Sequence, residues 1–107
     1  MAILIVFTTL PDSSSAVKLA LALVSGRHAA CVHMLAAGES IYRWEGKIER
    51  ATEVTMLIKT TQTAYPALEF AIRENHPYDL PEIVAVPAVA GLPAYLDWVH
   101  VETKSTA

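Results

Sequence analysis

Apolar positions along the chain follow three rhythms, and each predicts a different element. Ala2 to Thr8, Ala29 to Leu35 and Ile83 to Val86 are continuous apolar runs rich in branched residues, the pattern of strands buried on both faces. From Ile41 to Lys59 the pattern alternates instead, with Val54, Met56 and Ile58 pointing one way and Thr55, Leu57 and Lys59 the other. Glu45-Gly46 stands between two alternating runs, the local signal for a hairpin. Helical spacing appears after Pro11, where Asp12 or Ser13 can cap a helix and Gly26 can stop it. Ala16, Val17, Ala20, Leu21, Leu23 and Val24 form its wide apolar face, leaving Ser14, Lys18, Ala22 and Ser25 as a narrow polar stripe. A second helix is predicted after Thr63 as cap, with Pro66 in its first turn, Tyr65, Leu68 and Ile72 inward, and Glu69 and Arg73 as a surface pair. Pro77 and Pro81 hold 75–82 extended, and Gly91-Leu92-Pro93 starts a short third helix with Leu92, Tyr95, Leu96 and Val99 inward. Glu102 to Ala107 is polar and expected to fray.

The resulting order is strand, helix, strand, strand, helix, strand and a short helix. It predicts an α+β fold: a ferredoxin-like βαββαβ sandwich with an extra C-terminal helix and an extended hairpin between the second and third strands. Lys47 to Thr60 as one strand is roughly 45 Å long, whereas a compact chain of this size has a radius of gyration near 13 Å. The hairpin should therefore overhang its own domain, carrying Tyr42 and Trp44 near its tip. A copy of the same chain is the simplest thing for it to lie on. The alternative is a bent hairpin folded back on its own sheet, and Ala36-Ala37-Gly38 reads as a kink or bulge. Both main helices of such a fold cover one sheet face, so the strands that are apolar on both sides call for a second cover. Self-association follows.

Composition narrows the classes. At 107 residues the chain reads as a single domain, 1–107, and 53% hydrophobic against 18% charged residues excludes disorder. A net charge of -3 with scattered Lys and Arg leaves no electrostatic footprint for nucleic acid. The single Cys31 excludes an internal disulfide and fits a reducing compartment. Met1 to Phe7 is apolar but lacks a basic start and a small-residue cleavage site, and is too short to span a bilayer. The expectation is a cytoplasmic protein with no membrane contact.

Ala30-Cys31-Val32, Ser40-Ile41-Tyr42-Arg43-Trp44-Glu45-Gly46-Lys47-Ile48, Leu57-Ile58-Lys59-Thr60-Thr61, His76-Pro77-Tyr78, Pro81-Glu82-Ile83 and Gly91-Leu92-Pro93-Ala94-Tyr95-Leu96-Asp97-Trp98 together resemble the CutA divalent-cation tolerance family, across essentially the whole chain. The resemblance implies an interlocked homotrimer of ferredoxin-like subunits with hairpins crossing between them, tolerance to copper and other divalent metals, and no established catalysis. It also implies a likeness to PII signalling trimers, which bind small ligands between subunits. "Tolerance" names a cellular outcome, not a chemical mechanism.

His76 is the first candidate metal ligand, since imidazole suits copper and zinc and Pro77 fixes its position. The family's copper link involves a Cys and two adjacent His, and the matching positions here are Thr8, Asn75 and His76. Weak Cu(II) binding is therefore the expectation. Cys31 and His33 share one strand face and form a second pair. Lys59, Tyr78 and Glu82 are expected to line a ligand cleft at strand ends, with Tyr42 or Trp44 from a neighbouring copy covering it and Lys59 meeting a small anion. The competing reading is a structural Lys59–Glu82 ion pair at the trimer seam, with the aromatics as packing anchors. No phosphate loop, nucleophile elbow, His-Glu-x-x-His or Cys-x-x-Cys is present, so an enzyme is not expected. Two functions remain: a copper-binding tolerance protein, or a PII-like ligand sensor or scaffold.

Overall fold

The computed structural model describes residues 2–103. Its strands are β1 (Ile3–Leu10), β2 (Cys31–Met34), β3 (Gly38–Trp44), β4 (Lys47–Thr61) and β5 (Val84–Pro87), and its helices are α1 (Ser13–Ser25), α2 (Tyr65–Asn75) and α3 (Pro93–Glu102). One antiparallel sheet runs β2-β4-β1-β5, and β3 continues along β4 beyond β2. β4 is the spine, because its upper half pairs with β1 and β2 and its lower half with β3 alone. The last β1 pair is Leu10 with Val54, so everything from Glu53 down to Lys47 lies past the end of β1. The predicted overhang is thus real. The molecule measures 44 × 28 × 23 Å, and residues 41–50 are all exposed, which rules out a hairpin folded back on its sheet.

Two local features shape this arm. At its tip Glu45 and Gly46 both take positive φ, 50° and 80°, the signature of a type I′ turn whose twist matches the flanking strands. At its root the chain advances four residues, Met34 to Gly38, while β4 advances three, Met56 to Glu53. That extra residue is a bulge at the predicted Ala36-Ala37-Gly38, and it inverts the side-chain alternation. Val32 and Met34 of β2 pack toward the helices, whereas Ser40, Tyr42 and Trp44 of β3 turn to the opposite face.

Hydrophobic burial centres on the helix-covered face. Val6 and Leu10 of β1, Val54, Met56 and Ile58 of β4, Ala16, Leu19, Ala20 and Leu23 of α1, and Leu68 and Ile72 of α2 form one buried cluster. Asp12 caps α1, its carboxylate accepting the Ser15 N–H at 2.8 Å. The inward face of α1 is narrower than its run of apolar residues implies. Leu19 is buried, while Val17, Leu21 and Val24 stay exposed, because only the i, i+3, i+4, i+7 stripe meets the sheet. Gly26 ends α1 with φ of -80°, and Arg27 at 59° takes the left-handed position. A Cβ at 26 would meet the far edge of the His28 ring at 2.8 Å, so a larger residue there would require that side chain to swing aside. For α2 the cap is Ala64, whose N–H donates to the Thr61 hydroxyl, so Thr63 is not the capping residue. Glu69 accepts the Tyr65 hydroxyl at 3.0 Å, an i−4 contact in place of the expected pairing with Arg73.

The second face is covered only at one end. There α3 seats Val99 against Ile3 and Ala30, with Leu96 and Ala88 alongside. Leu92 and Tyr95, expected inward, are exposed. The rows Cys31–Lys59–Ile5–Val86 and His33–Leu57–Phe7–Val84, set by the pairing register, remain open to solvent in the single chain.

Candidate functional site

Where the arm leaves the sheet, a cleft of about 840 Å³ opens on the face away from the main helices. Its floor is the end of β1 at Thr9 and Glu53 of β4; one wall is Ser40, Ile41, Tyr42 and Trp44 of β3, and the other is the segment from Tyr78 to Val84. The bulge places the two aromatic rings here, because it turns Tyr42 and Trp44 to the same side as Glu53.

The second wall is pinned by three hydrogen bonds. His76 ends α2, and its Nε2–H donates to the Thr9 carbonyl at 2.7 Å while its Nδ1 accepts the Tyr78 N–H at 3.1 Å. These two partners, an acceptor and a donor, select the neutral Nε2–H tautomer. Burial lowers the His76 pKa from its ordinary value, and it outweighs the opposing pull of the Thr9 carbonyl and the Glu53 charge. The Tyr78 ring lies 4.9 Å from the imidazole, and its hydroxyl donates to Glu53 Oε2 at 2.9 Å. Burial and the Glu53 carboxylate push the Tyr78 phenol up to about 12, which keeps it a donor at neutral pH. The extended segment after α2 is thereby tied to both β1 and β4.

Tyr78, Glu82, Tyr42 and Trp44 of one chain line this cleft together. Lys59 is elsewhere. It pairs with Cys31 and Ile5, six residues along β4 from Glu53 or roughly 20 Å away, so the chain's own Lys59 does not line its cleft. Glu53, Asp79 and Thr9 were missed. Glu53 carries a readable signal, the last carboxylate on its face of β4 before Thr55, Leu57, Lys59 and Thr61. Thr9 joins from the end of β1 and Asp79 through the path of the loop after α2.

The donor set does not fit a resident metal ion in one chain. Both ring nitrogens of His76 are committed to backbone partners, so ligation would break one of these bonds. Thr8, at the family's Cys position, is wholly buried with its hydroxyl lacking any hydrogen-bond partner, and the Asn75 side chain donates to the Ala71 carbonyl at 2.8 Å. Cys31 and His33 do share the uncovered sheet face. Among the described residues, however, no three His, Cys, Asp or Glu side chains gather closely enough to hold a metal.

Fold and cleft define a small α+β subunit with one self-covered sheet face and a ribbon that outruns its sheet. The family model for the CutA1 divalent ion tolerance protein matches residues 4–102, and this chain belongs to that family. It is 45% identical over 101 residues to mouse Protein CutA, covering 94% of this chain and 57% of the mouse protein, so it spans little more than half of that relative. With the divalent-cation tolerance protein CutA of Thermus thermophilus it shares 42% identity over 99 residues, 92% of this chain and 96% of that one. The crystal structure of CutA from Xylella fastidiosa superposes with a TM-score of 0.93 at 42% identity, covering 95% of this chain and 98% of the other.

Proposed function

We propose that the chain acts in divalent-cation tolerance as a homotrimer of ferredoxin-like subunits, without catalysis of its own. The observation that carries this is the uncovered apolar face with its overhanging arm, in a chain of the divalent ion tolerance family. The β2-β4-β1-β5 order, with β3 as an extension of the β2 position, supports the split βαβ reading. Copies of the same chain supply the cover that α3 gives only at one end. Copper enters as the challenge to the cell rather than as a resident cofactor of one subunit, since both His76 ring nitrogens hold backbone partners and, among the described residues, no three His, Cys, Asp or Glu side chains gather to complete a site. The sensor reading with an anionic ligand is less well supported, because Glu53, Asp79 and Glu82 line the cleft while Lys59 is remote.

The test is complementation. A strain lacking the protein is challenged with Cu(II) and Zn(II) and supplied with the parent chain or with Val84→Asp/Val86→Asp. Restored growth with the parent and none with the assembly-deficient variant is the expected result. Equal rescue by both would remove assembly from the function.

A further inference from the structure

We infer that Lys59 of one copy of the chain enters the cleft at the root of the next copy's arm and pairs with Glu53 there, fixing how the subunits are set against one another. The inference rests on the assembly reading above and adds to it the contact that orients the copies. Two observations at opposite ends of the open face carry it. Lys59 is half-buried between Cys31 and Ile5 in the pairing register, with Leu57 and Thr61 beside it on the same side of β4. None of these is an anion, and among the described residues no carboxylate forms an ion pair with Lys59. At the other end Glu53, Asp79 and Glu82 line the cleft, and no Lys, Arg or His lines it with them.

Covering the open face changes both ends in complementary ways. A second copy laid over Lys59 takes its ammonium out of water, at a cost that only a nearby counter-charge offsets. The chain cannot supply that charge itself, because Glu53 is six residues along the same strand, roughly 20 Å away and beyond a lysine's reach. Another copy can. Of the carboxylates on the open side of β4, Glu49 stands two residues from Lys47 and has a cation at hand, whereas Glu53 has none beside it in the cleft. Glu53 is also held ready, since the Tyr78 hydroxyl donates to its Oε2 at 2.9 Å and leaves Oε1 for an ammonium. Asp79 and Glu82 add to the attraction from the same lining. Each copy thus brings one cation and one carboxylate site to the assembly, and a closed arrangement leaves no Lys59 buried without its counter-charge.

Sedimentation equilibrium of the full chain over a range of dilution tests the pairing through a double-mutant cycle. Lys59→Met keeps most of the side chain's length and removes its charge; Glu53→Gln keeps an acceptor for the Tyr78 hydroxyl and removes the charge there. Each single change strands one charge in the interface and should weaken self-association about a hundredfold. Together they strand neither partner, and the double variant should associate within about tenfold of the parent. Lys59→Glu sets like charges against each other and should prevent assembly. Single variants that associate like the parent, assembly by Lys59→Glu, or a double variant as weak as the product of the two single losses would each overturn the pairing while the parent's assembly still stood. A parent that sediments as a monomer would remove the assembly reading and the pairing with it.

Discussion

The two faces of the sheet are made of similar residues and meet different fates. On one, Val6, Leu10, Met56 and Ile58 are fully buried beneath α1 and α2. On the other, Ile5, Phe7 and Leu57 are half-buried, and Val84 and Val86 are 52% and 41% exposed. The open face carries Lys59, Cys31 and His33 among its apolar residues, but the larger difference between the faces is the cover. Burial of apolar surface is worth roughly 25 cal/mol per Å², and a single chain collects it on one side only. A sheet apolar on both faces with two helices on one of them is therefore half of a structure.

The largest effect should come from putting charge on the open face. Val84→Asp/Val86→Asp places two carboxylates on the open side of β5, and desolvating each in an interface costs several kcal/mol. The assembly should fall apart in sedimentation velocity, and the dissociated chain should lose its circular dichroism spectrum, because one chain does not hold its open face in water. An intact assembly would mean that this face stays wet.

Neighbouring residues sharpen the contrast. Met56 and Leu57 are adjacent in β4 and point to opposite faces. Met56→Ala should cost about 2–5 kcal/mol whatever the protein concentration, because it opens a cavity within one chain. For Leu57→Ala the loss should depend on concentration, since the cavity lies between chains. Melting curves over a hundredfold range of dilution distinguish the two, and identical behaviour would erase the difference between the faces.

A smaller gain is expected beneath the helices. Thr8 is fully buried there and its hydroxyl has no hydrogen-bond partner, so Thr8→Val should raise stability by about 1 kcal/mol in chemical denaturation. A loss would show that the hydroxyl has a use in the core.

The mildest test is pH. His76 binds its proton less readily in the folded chain than in the unfolded one, so the unfolded state takes up more protons as pH falls. Its contribution to stability is complete above about 6.5 and is lost progressively as pH drops from there toward the lowered folded pKa. Protonated Nδ1 also ceases to accept the Tyr78 N–H. His76→Asn, which keeps an acceptor near that N–H, should flatten this part of the stability profile; a profile identical to the parent's would assign the dependence to another group.

Much of this was legible in the residues. Alternation along 47–61 and the Glu45-Gly46 turn foretold the long arm, and Ala36-Ala37-Gly38 foretold the bulge. What the bulge does to Tyr42 and Trp44 was not legible, because a one-residue insertion inverts every later side chain and only the paired register shows it. Lys59 was misplaced for a related reason. Its strand continues to Thr61, so it lies within the sheet and far from the cleft. The inward stripe of α1 was drawn to the wrong side: Ala16, Ala20 and Leu23 meet the sheet as expected, Leu19 joins them although it was left out, and Val17, Leu21 and Val24 stay exposed. His76 was rightly singled out as fixed, but what fixes it, the Thr9 carbonyl and the Tyr78 amide, belongs to backbone with no side-chain signature. The tail from 104 onward, expected to fray, lies outside the described residues, while Thr103 is buried with its hydroxyl donating to the Val99 carbonyl at 2.8 Å.

Sedimentation equilibrium of the unmodified chain at nanomolar concentration, with circular dichroism on the same samples, tests the central claim most directly. The uncovered face and overhanging arm predict a single species of three times the chain mass, with dilution producing unfolded chain rather than folded monomer. A monomer that persists with native secondary structure would show that one chain tolerates its open face in water, and the account of the second face would be wrong.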